Sequence, residues 1–436
     1  MSAEWLSVLA LVALFVVGTV LPINMGALGF VAAWIVGTYA LGLSEKEIIS
    51  GISGDLVLTL VGVTYLFAIA RNNGTVDLIV RGAVRVVGGR VGLVPWVMFA
   101  VTAVLTAIGA ASPAACAIIG PIALGFAGRH RISPLMMGMF VVHGAQAGGF
   151  SPISIYGVIT NSVMRDNGLP VDEGAIFLAS LVFNLAIAVV LFVALGGREL
   201  LARRIEDDGP DIEPAPSGGG GGVGGGGTAT AVAVRQTVRA DQLITLTAFV
   251  AVAVVALVFE RNIGFTAVTA AVILTALFPK EQKGAITQIA WSTVLLVAGV
   301  STFATILSTA GAPEAVGTWA AGLGTVLIGA LVLCYVGGVT SAFASSTALL
   351  PIIIPIAIPL VASGGVSAVA VVAALAVSST IVDVSPFSTN GALMVANRPD
   401  TVPEDRFYRQ ILGYSVIVTV AGPLLVWAAF VVSGVF

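Results

Sequence analysis

The sequence predicts an all-α polytopic membrane protein built from two inverted copies of one unit, each with five transmembrane helices and one re-entrant hairpin. Three observations carry this prediction: the composition, an internal duplication and a one-sided distribution of basic residues. Of 436 residues, 58% are hydrophobic and 9% charged, with a mean hydropathy of +1.07. Water-soluble domains carry about 25% charged residues, so the solvent for this chain is a bilayer. Residues 112–157 and 346–391 align without a gap at a constant offset of 234. Under that offset Ser112 pairs with Ser346, Pro121 with Pro355, Ser151-Pro152 with Ser385-Pro386, Ser154 with Ser388 and Gly157 with Gly391.

The first spans follow from length. From Trp5 to Ser44 there are 40 residues without a charge, and Leu21-Pro22-Ile23-Asn24 divides them into two lengths near the roughly 20 needed to cross. Glu4 precedes them and no Lys or Arg comes before Lys46, so the positive start of a cleavable signal peptide is missing and the first span is expected to be retained. Further spans are expected near 52–70, 134–162 and 174–196, with an amphipathic piece near 75–90 carrying Arg81, Arg85 and Arg90. The block 92–127 is too long for one helix and is interrupted by Gly109, Ser112 and Pro113. Its second arm, 114–127, would reach about 21 Å at 1.5 Å per residue, short of a core of about 30 Å, which favours a hairpin over two crossings.

The same order recurs in the second half. Asn24-x-Gly26 and Ala32-Ala33 return as Asn262-x-Gly264 and Ala270-Ala271 at an offset of 238, and Gly62 and Gly74 return as Gly299 and Gly311 at 237. The first repeat is therefore 1–198, with scaffold spans in 1–72, hairpin 92–127, broken helix 134–162 and last span 174–196. The second is 241–436, with hairpin 325–361 and broken helix 366–396. Between them, 199–240 holds Arg203, Arg204, Glu206, Asp207, Asp208, Asp211 and Glu213, then a glycine run from Gly218 to Gly227 broken only by Val223. That composition is a hydrated linker. It is no phosphate loop, because no Gly-Lys-Ser/Thr follows it.

Charge sets the orientation. Five spans per half place Lys46, Arg165 and Arg261 on one face and the other 16 of the 19 basic residues on the opposite face, and basic residues collect on the cytoplasmic side. A single crossing of each interrupted block would scramble that bias. An odd span count inverts the second copy, giving ten spans and two hairpins in the cytoplasmic membrane, both termini outside and the linker cytoplasmic. Irregular backbone at membrane depth survives only where protein or a watery cavity satisfies it, so hairpin tips and helix breaks are expected to meet centrally. An interrupted hydrophobic segment repeated in each half marks the binding site of a secondary transporter.

The candidate site is rich in hydroxyls. The first copy offers Ser112, Gln146, Ser151, Ser154 and Tyr156; the second offers Ser345, Ser346, Thr347, Ser378, Ser379, Thr380, Asp383, Ser385, Ser388, Thr389 and Asn390. Neither motif contains Lys or Arg, so a bound anion would rely on helix N-termini and backbone N–H groups, which suit carboxylates. The substrate contacts are accordingly assigned to Ser112, Ser151, Pro152, Ser154, Ser346, Thr347, Ser385, Pro386, Ser388 and Asn390. Coupling to a cation or proton is assigned to Asp383, Ser345, Thr380, Gln146 and His143. Asp383 is the one acidic residue well inside an apolar run, from Val366 to Ala396, where a carboxylate costs about 2.5 to 3.5 kcal/mol and is functional by default. Its bland alternative is a carboxylate capping nearby N–H groups, as that of His143 is a neutral packing imidazole. The hydroxyls have the alternative of bonding back to their own helices.

Other classes fit poorly. An enzyme would need paired carboxylates, a metal cluster or a nucleophile and base, and only Asp383 and His143 are at hand, from different helices. A channel would not need a duplicated site entered from opposite faces. Cys116 and Cys334 lie in apolar runs and offer neither a disulfide framework nor metal spacing. No cofactor and no nucleic-acid partner are expected, and the one ion implied is Na+ for coupling.

Repeated Ser-bearing hairpins followed by Pro-containing broken helices resemble the ion transporter superfamily, which includes divalent anion:sodium symporters. Within it the N-terminal stretch and the Ser-Pro motifs look most similar to the bacterial malonate and dicarboxylate carrier family. Symporter hairpin tips read Ser-Asn-Thr; here the tips are Ser112-Pro113-Ala114 and Ser345-Ser346-Thr347, and the breaks are Ser151-Pro152 and Ser385-Pro386. The resemblance implies an elevator-type transporter, a homodimer, and a small dicarboxylate such as malonate or a C4 acid moved with Na+ or H+. The same fold also carries citrate, sulfate or arsenite-like anions, which is the alternative substrate class.

Overall fold

The computed structural model describes residues 2–21, 23–86, 88–204, 238–259, 261–280, 282–322, 325–343, 346–362 and 364–434, and among them there are helices and no strands. The first half contains α1 (Ala3–Val20), α2 (Met25–Leu41), α3 (Glu45–Ser50), α4 (Gly54–Asn72), α5 (Thr75–Val86), α6 (Val94–Ala107), α7 (Ser112–Arg129), α8 (Pro134–Gly148), α9 (Ile155–Asp166), α10 (Glu173–Ala194) and α11 (Gly197–Leu200). The second contains α12 (Ala240–Leu257), α13 (Ile263–Leu277), α14 (Trp291–Thr309), α15 (Ala312–Ala321), α16 (Val326–Phe343), α17 (Ser346–Ala362), α18 (Ala368–Ile381), α19 (Thr389–Ala396) and α20 (Glu404–Trp427), which runs on through a π turn to Val432.

Short polar side chains set many of the helix starts, and they recur at the repeat offsets. Asn24 accepts the N–H of Gly26 at the head of α2, and Asn262 accepts that of Phe265 at the head of α13. Ser133 accepts the N–H of Met136 before α8, and Ser367 that of Ala370 before α18. Each cap satisfies a donor that the first helical turn leaves without a partner. Five described helices are long and apolar enough to cross a bilayer, and eight shorter ones of 10–17 residues are apolar as well. The chain is thus a multi-pass membrane protein.

One arm differs from the sequence expectation. The block 92–127 is interrupted where expected, between Ala107 and Ser112, but its second arm is longer: Ser112 and Pro113 open α7, with the proline in the first turn, and the helix runs 18 residues to Arg129. Proline is tolerated there because the first-turn N–H has no partner to lose. The arm therefore measures about 27 Å rather than 21 Å, and length alone no longer separates a hairpin from a double crossing. Its partner α6 has 14 residues, or about 21 Å. The turn between them is made by Gly109 at φ +109°, where a Cβ would lie 2.2 Å from Val63. Of the linker 199–240, residues 205–237 lie outside the described residues. Residues 203–204 fold back on the rest: the Val91 N–H donates to the Arg203 carbonyl at 3.2 Å, and the Arg203 guanidinium donates to the His130 carbonyl at 2.8 Å.

The two halves complete each other. α8 is buried from Met136 to Gly148 and α18 along nearly its whole length, which is why both read as apolar all round rather than striped. α2 packs on α14 and α13 on α4, each the second long helix of one repeat against the third long helix of the other; likewise α7 packs on α19 and α17 on α9. Glycines set the closest approach. A Cβ on Gly299 would lie 1.9 Å from the Gly26 carbonyl oxygen, and one on Gly62 would lie 2.7 Å from that of Gly264. Close backbone contact of this kind holds helices together where lipid offers no hydrophobic drive. Gly299→Val is expected to lower thermal stability in detergent by on the order of 1 to 3 kcal/mol or more. Gly82→Ala, where a Cβ meets nothing within 4 Å, should leave the melting temperature unchanged.

Candidate substrate and coupling site

The repeated Ser-Pro-x-Ser-x-x-Gly motif is a device for restarting a helix. α8 stops at Gly149, and Ser154 caps α9 by accepting the Gly157 N–H at 3.4 Å while its hydroxyl donates to the Ser151 carbonyl at 2.7 Å. In the second copy Ser388 caps α19 by accepting the Gly391 N–H at 3.3 Å and donates to the Ser385 carbonyl at 2.7 Å. The glycines are required by contact: a Cβ on Gly157 would lie 2.0 Å from the Ser151 oxygen, and one on Gly391 2.0 Å from the Ser385 oxygen. The Ser385 hydroxyl accepts the Phe387 N–H at 3.2 Å, tightening the same turn. Both breaks are closed internally, as a membrane interior demands.

Between the breaks lies a cavity of about 610 Å³. Its wall is made from the starts of six helices: Met25 of α2, Ser112 to Ala114 of α7, Ile155 and Tyr156 of α9, Ser292 and Thr293 of α14, Ser346 and Thr347 of α17, and Thr389 of α19. Gly149 and Asp383 enter from the breaks, and Ala110 and Ala111 from the α6–α7 turn. The helix N-termini each present partial positive charge and spare N–H groups. No Lys or Arg is among the described residues that line the cavity, and Asp383 is the one carboxylate among them. A preorganised set of N–H groups and hydroxyls around a single carboxylate is chemistry for holding a small anion together with a cation or proton.

Asp383 is tied to both repeats. The amide nitrogen of Asn390 donates to its Oδ2 at 2.8 Å and to the Ser112 hydroxyl at 2.9 Å. The Asn390 oxygen is buried without a hydrogen-bond partner among the described residues. At the repeat-related place the pieces differ. Tyr156 stands where Asn390 does, Ser346 where Ser112 does, and Gly149 where Asp383 does. The Tyr156 hydroxyl meets the side chains of Ser346 and Thr347, so the same two elements touch in both copies through different groups.

Of the residues singled out from the sequence, Ser112, Tyr156, Ser346, Thr347, Asp383, Ser388 and Thr389 line the cavity, Asn390 stands behind Asp383, and Ser378 and Ser379 are buried on α18 away from it. Ser151, Pro152, Ser154, Ser385 and Pro386 form the restarting turns and do not line it. Thr380 bonds back to the carbonyls of Ala376 and Val377 at 3.0 and 3.2 Å. His143 is fully buried on α8 away from the cavity, its Nδ1 2.8 Å from Asn184 Oδ1 and its Nε2 2.6 Å from the Tyr414 hydroxyl. Gln146 is buried beside it with no bond of hydrogen-bond geometry from its amide. Ser345 lies outside the described residues. Asn24, Met25, Ser292 and Thr293 were not foreseen as site residues. The Asn24 amide donates to the Ser292 carbonyl at 3.1 Å, and its recurrence as Asn262 was the one available signal.

Residues 1–149 match a family model described as the dicarboxylate carrier protein MatC N-terminus. Among solved structures, the Alcanivorax borkumensis YdaH transporter is similar with a TM-score of 0.56 at 14% identity, covering 90% of this chain and 88% of that one. The Neisseria gonorrhoeae MtrF structure, titled as one of a class of antimetabolite efflux pumps, gives a TM-score of 0.45 at 12% identity over 98% and 95% of the two chains. No curated protein matches the chain. The likeness to YdaH shows the fold, and the carrier-family match over residues 1–149 points to a membrane transporter and not to an enzyme.

The cavity wall can be checked chemically, because the native Cys116 and Cys334 are buried. Thr389→Cys, exposed on the wall, should react with a small hydrophilic thiol reagent roughly tenfold or more faster than Ser154→Cys, which is enclosed in its turn, since the exposed thiolate is the reacting species.

Proposed function

We infer that this protein is a secondary active transporter for a small dicarboxylate, of the malonate or C4 type, coupled to Na+ or H+. The cavity carries the inference: six helix N-termini and their hydroxyls converge without a fixed cation, which favours two carboxylates held by dipoles and N–H groups. The match of residues 1–149 to a dicarboxylate carrier family supports the same substrate class.

An inverted repeat of ten spans and two re-entrant hairpins fits these features. The α6–α7 turn lines the same cavity as the helix breaks at Gly149 and Asp383, and a turn lying on a membrane face would be too far away to do so. The exchanged packing of α2 with α14 and α4 with α13 is what a two-fold relation between the copies produces. α2 and α14 line the cavity together with the hairpins and breaks. In an elevator cycle α2 and α14 are the scaffold, and the hairpins, broken helices and last spans carry the substrate. The charge asymmetry supports a cytoplasmic linker and outside termini in the cytoplasmic membrane, and a homodimer is the assembly proposed.

Purified protein in proteoliposomes should show saturable uptake of malonate or succinate driven by an inward Na+ or proton gradient. Asp383→Asn should lower it by about tenfold or more while leaving the melting temperature intact, the loss expected when a charge-assisted interaction of roughly 1.5 to 3 kcal/mol disappears. Flux of citrate, sulfate or arsenite in place of both dicarboxylates would assign another anion. Unchanged uptake in Asp383→Asn would move the coupling group elsewhere.

A further inference from the structure

The two copies of the site are built on one plan but only one of them holds a charge. In the second copy, Asp383, Asn390 and the Ser112 hydroxyl make a continuous cluster, with the Asn390 oxygen buried beside the carboxylate and unpartnered among the described residues. An orphaned acceptor next to a buried carboxylate is the group that a bound cation or proton would satisfy. In the first copy the corresponding carboxylate position is Gly149, and the space its side chain would need is taken. A Cβ on Gly149 would lie 2.8 Å from Cδ2 of Tyr156, so the phenol ring fills the room that the Asp383 side chain occupies in the other half. The Tyr156 hydroxyl meets Ser346 and Thr347, which supplies the second hairpin with a neutral partner where Ser112 has Asn390.

We propose that the transporter binds a single monovalent coupling cation, at Asp383, Asn390 and Ser112, and that Tyr156 plugs the repeat-related place and so withholds a second one. The titratable side chains that face Asp383 are Cys116 from α7 and Tyr156 from α9, and no Lys or Arg among the described residues shares the cavity with it. Gln146 and Asn161, the buried side-chain amides of the first copy without a hydrogen-bond partner among the described residues, are neutral, and Gly149 puts no carboxylate beside Gln146. This inference deepens the dicarboxylate reading and rests on it. Its consequence is electrical: a dicarboxylate dianion moving with one monovalent cation carries one net negative charge per cycle. Two cations would make the cycle neutral, and three would reverse its sign.

The test is the voltage dependence of succinate accumulation in proteoliposomes at about pH 8, where both carboxyls are ionised, with potentials set by valinomycin and potassium. One net negative charge predicts that each additional ~60 mV of interior-positive potential raises the accumulation ratio about tenfold. Accumulation that ignores the potential, or falls with it, overturns the proposal. Imposing a sodium gradient or a pH gradient separately tells which cation is bound. Tyr156→Phe keeps the ring and should keep the same charge per substrate; a change would show that the ring is not the plug. The double variant Gly149→Asp, Tyr156→Asn rebuilds the missing cluster, and its flux should become insensitive to voltage. If it transports with the same charge as the native protein, Tyr156 is not what withholds the second cation; if it fails to fold, the native protein and Tyr156→Phe decide. Absence of any saturable dicarboxylate flux would instead overturn the carrier reading, and this inference with it.

Discussion

A helix interrupted inside a bilayer leaves backbone donors and acceptors with no water to turn to, and the rest of this structure follows from how the two interruptions are satisfied. Ser154 and Ser388 do it locally, each closing a turn that only a glycine three residues later permits. The restarted helices then point their N-termini inward. Because α7, α17, α2 and α14 also begin at this cavity, the partial positive charges of their N-termini add over one small volume. The cavity is therefore anion-attracting without Lys or Arg, whose long side chains would have been costly to desolvate at that depth.

Holding six helix starts together needs packing that ordinary hydrophobic burial cannot provide between lipid-solvated helices. Backbone contact at Gly26, Gly299, Gly62 and Gly264 supplies it, and each contact joins one repeat to the other. Neither copy encloses the cavity alone. α7 is completed by α19 and α17 by α9, so that the Ser-bearing helix of one copy meets the restarted helix of the other. The cavity wall draws residues from both repeats.

The duplicated plan is broken where the charge sits. Asp383 and Asn390 in one copy face Gly149 and Tyr156 in the other, and the ring occupies volume that a carboxylate and a cation would otherwise share. Repetition fixes where a site can form; the side chains at repeat-related places determine what it holds. His143, although ionisable and at membrane depth, stands apart from this site with both ring nitrogens engaged by Asn184 and Tyr414.

Much of this was legible in the chain. Composition determined the solvent, and the constant offset placed the breaks and tips. The caps Asn24, Ser133, Ser154, Asn262, Ser367 and Ser388 sit where short polar residues precede apolar runs, because capping and proline effects act within a few residues. Other features were decided only by tertiary structure. Thr380 looks as available as Thr347, yet it bonds back to the carbonyls of Ala376 and Val377 while Thr347 lines the cavity, and which polar group reaches the cavity depends on helices more than 200 residues away. The same holds for Asn24 and Ser292 joining the wall, and for Tyr156 filling the space beside Gly149. The break at Gly109, Ser112 and Pro113 was legible, but the length of the arm after it was not, because Ser112-Pro113 belongs to the first turn of α7 and the helix runs on to Arg129. Local chemistry fixed the helices and their ends; the choice among equivalent polar groups fell to packing between distant segments, because in a bilayer only protein can satisfy them.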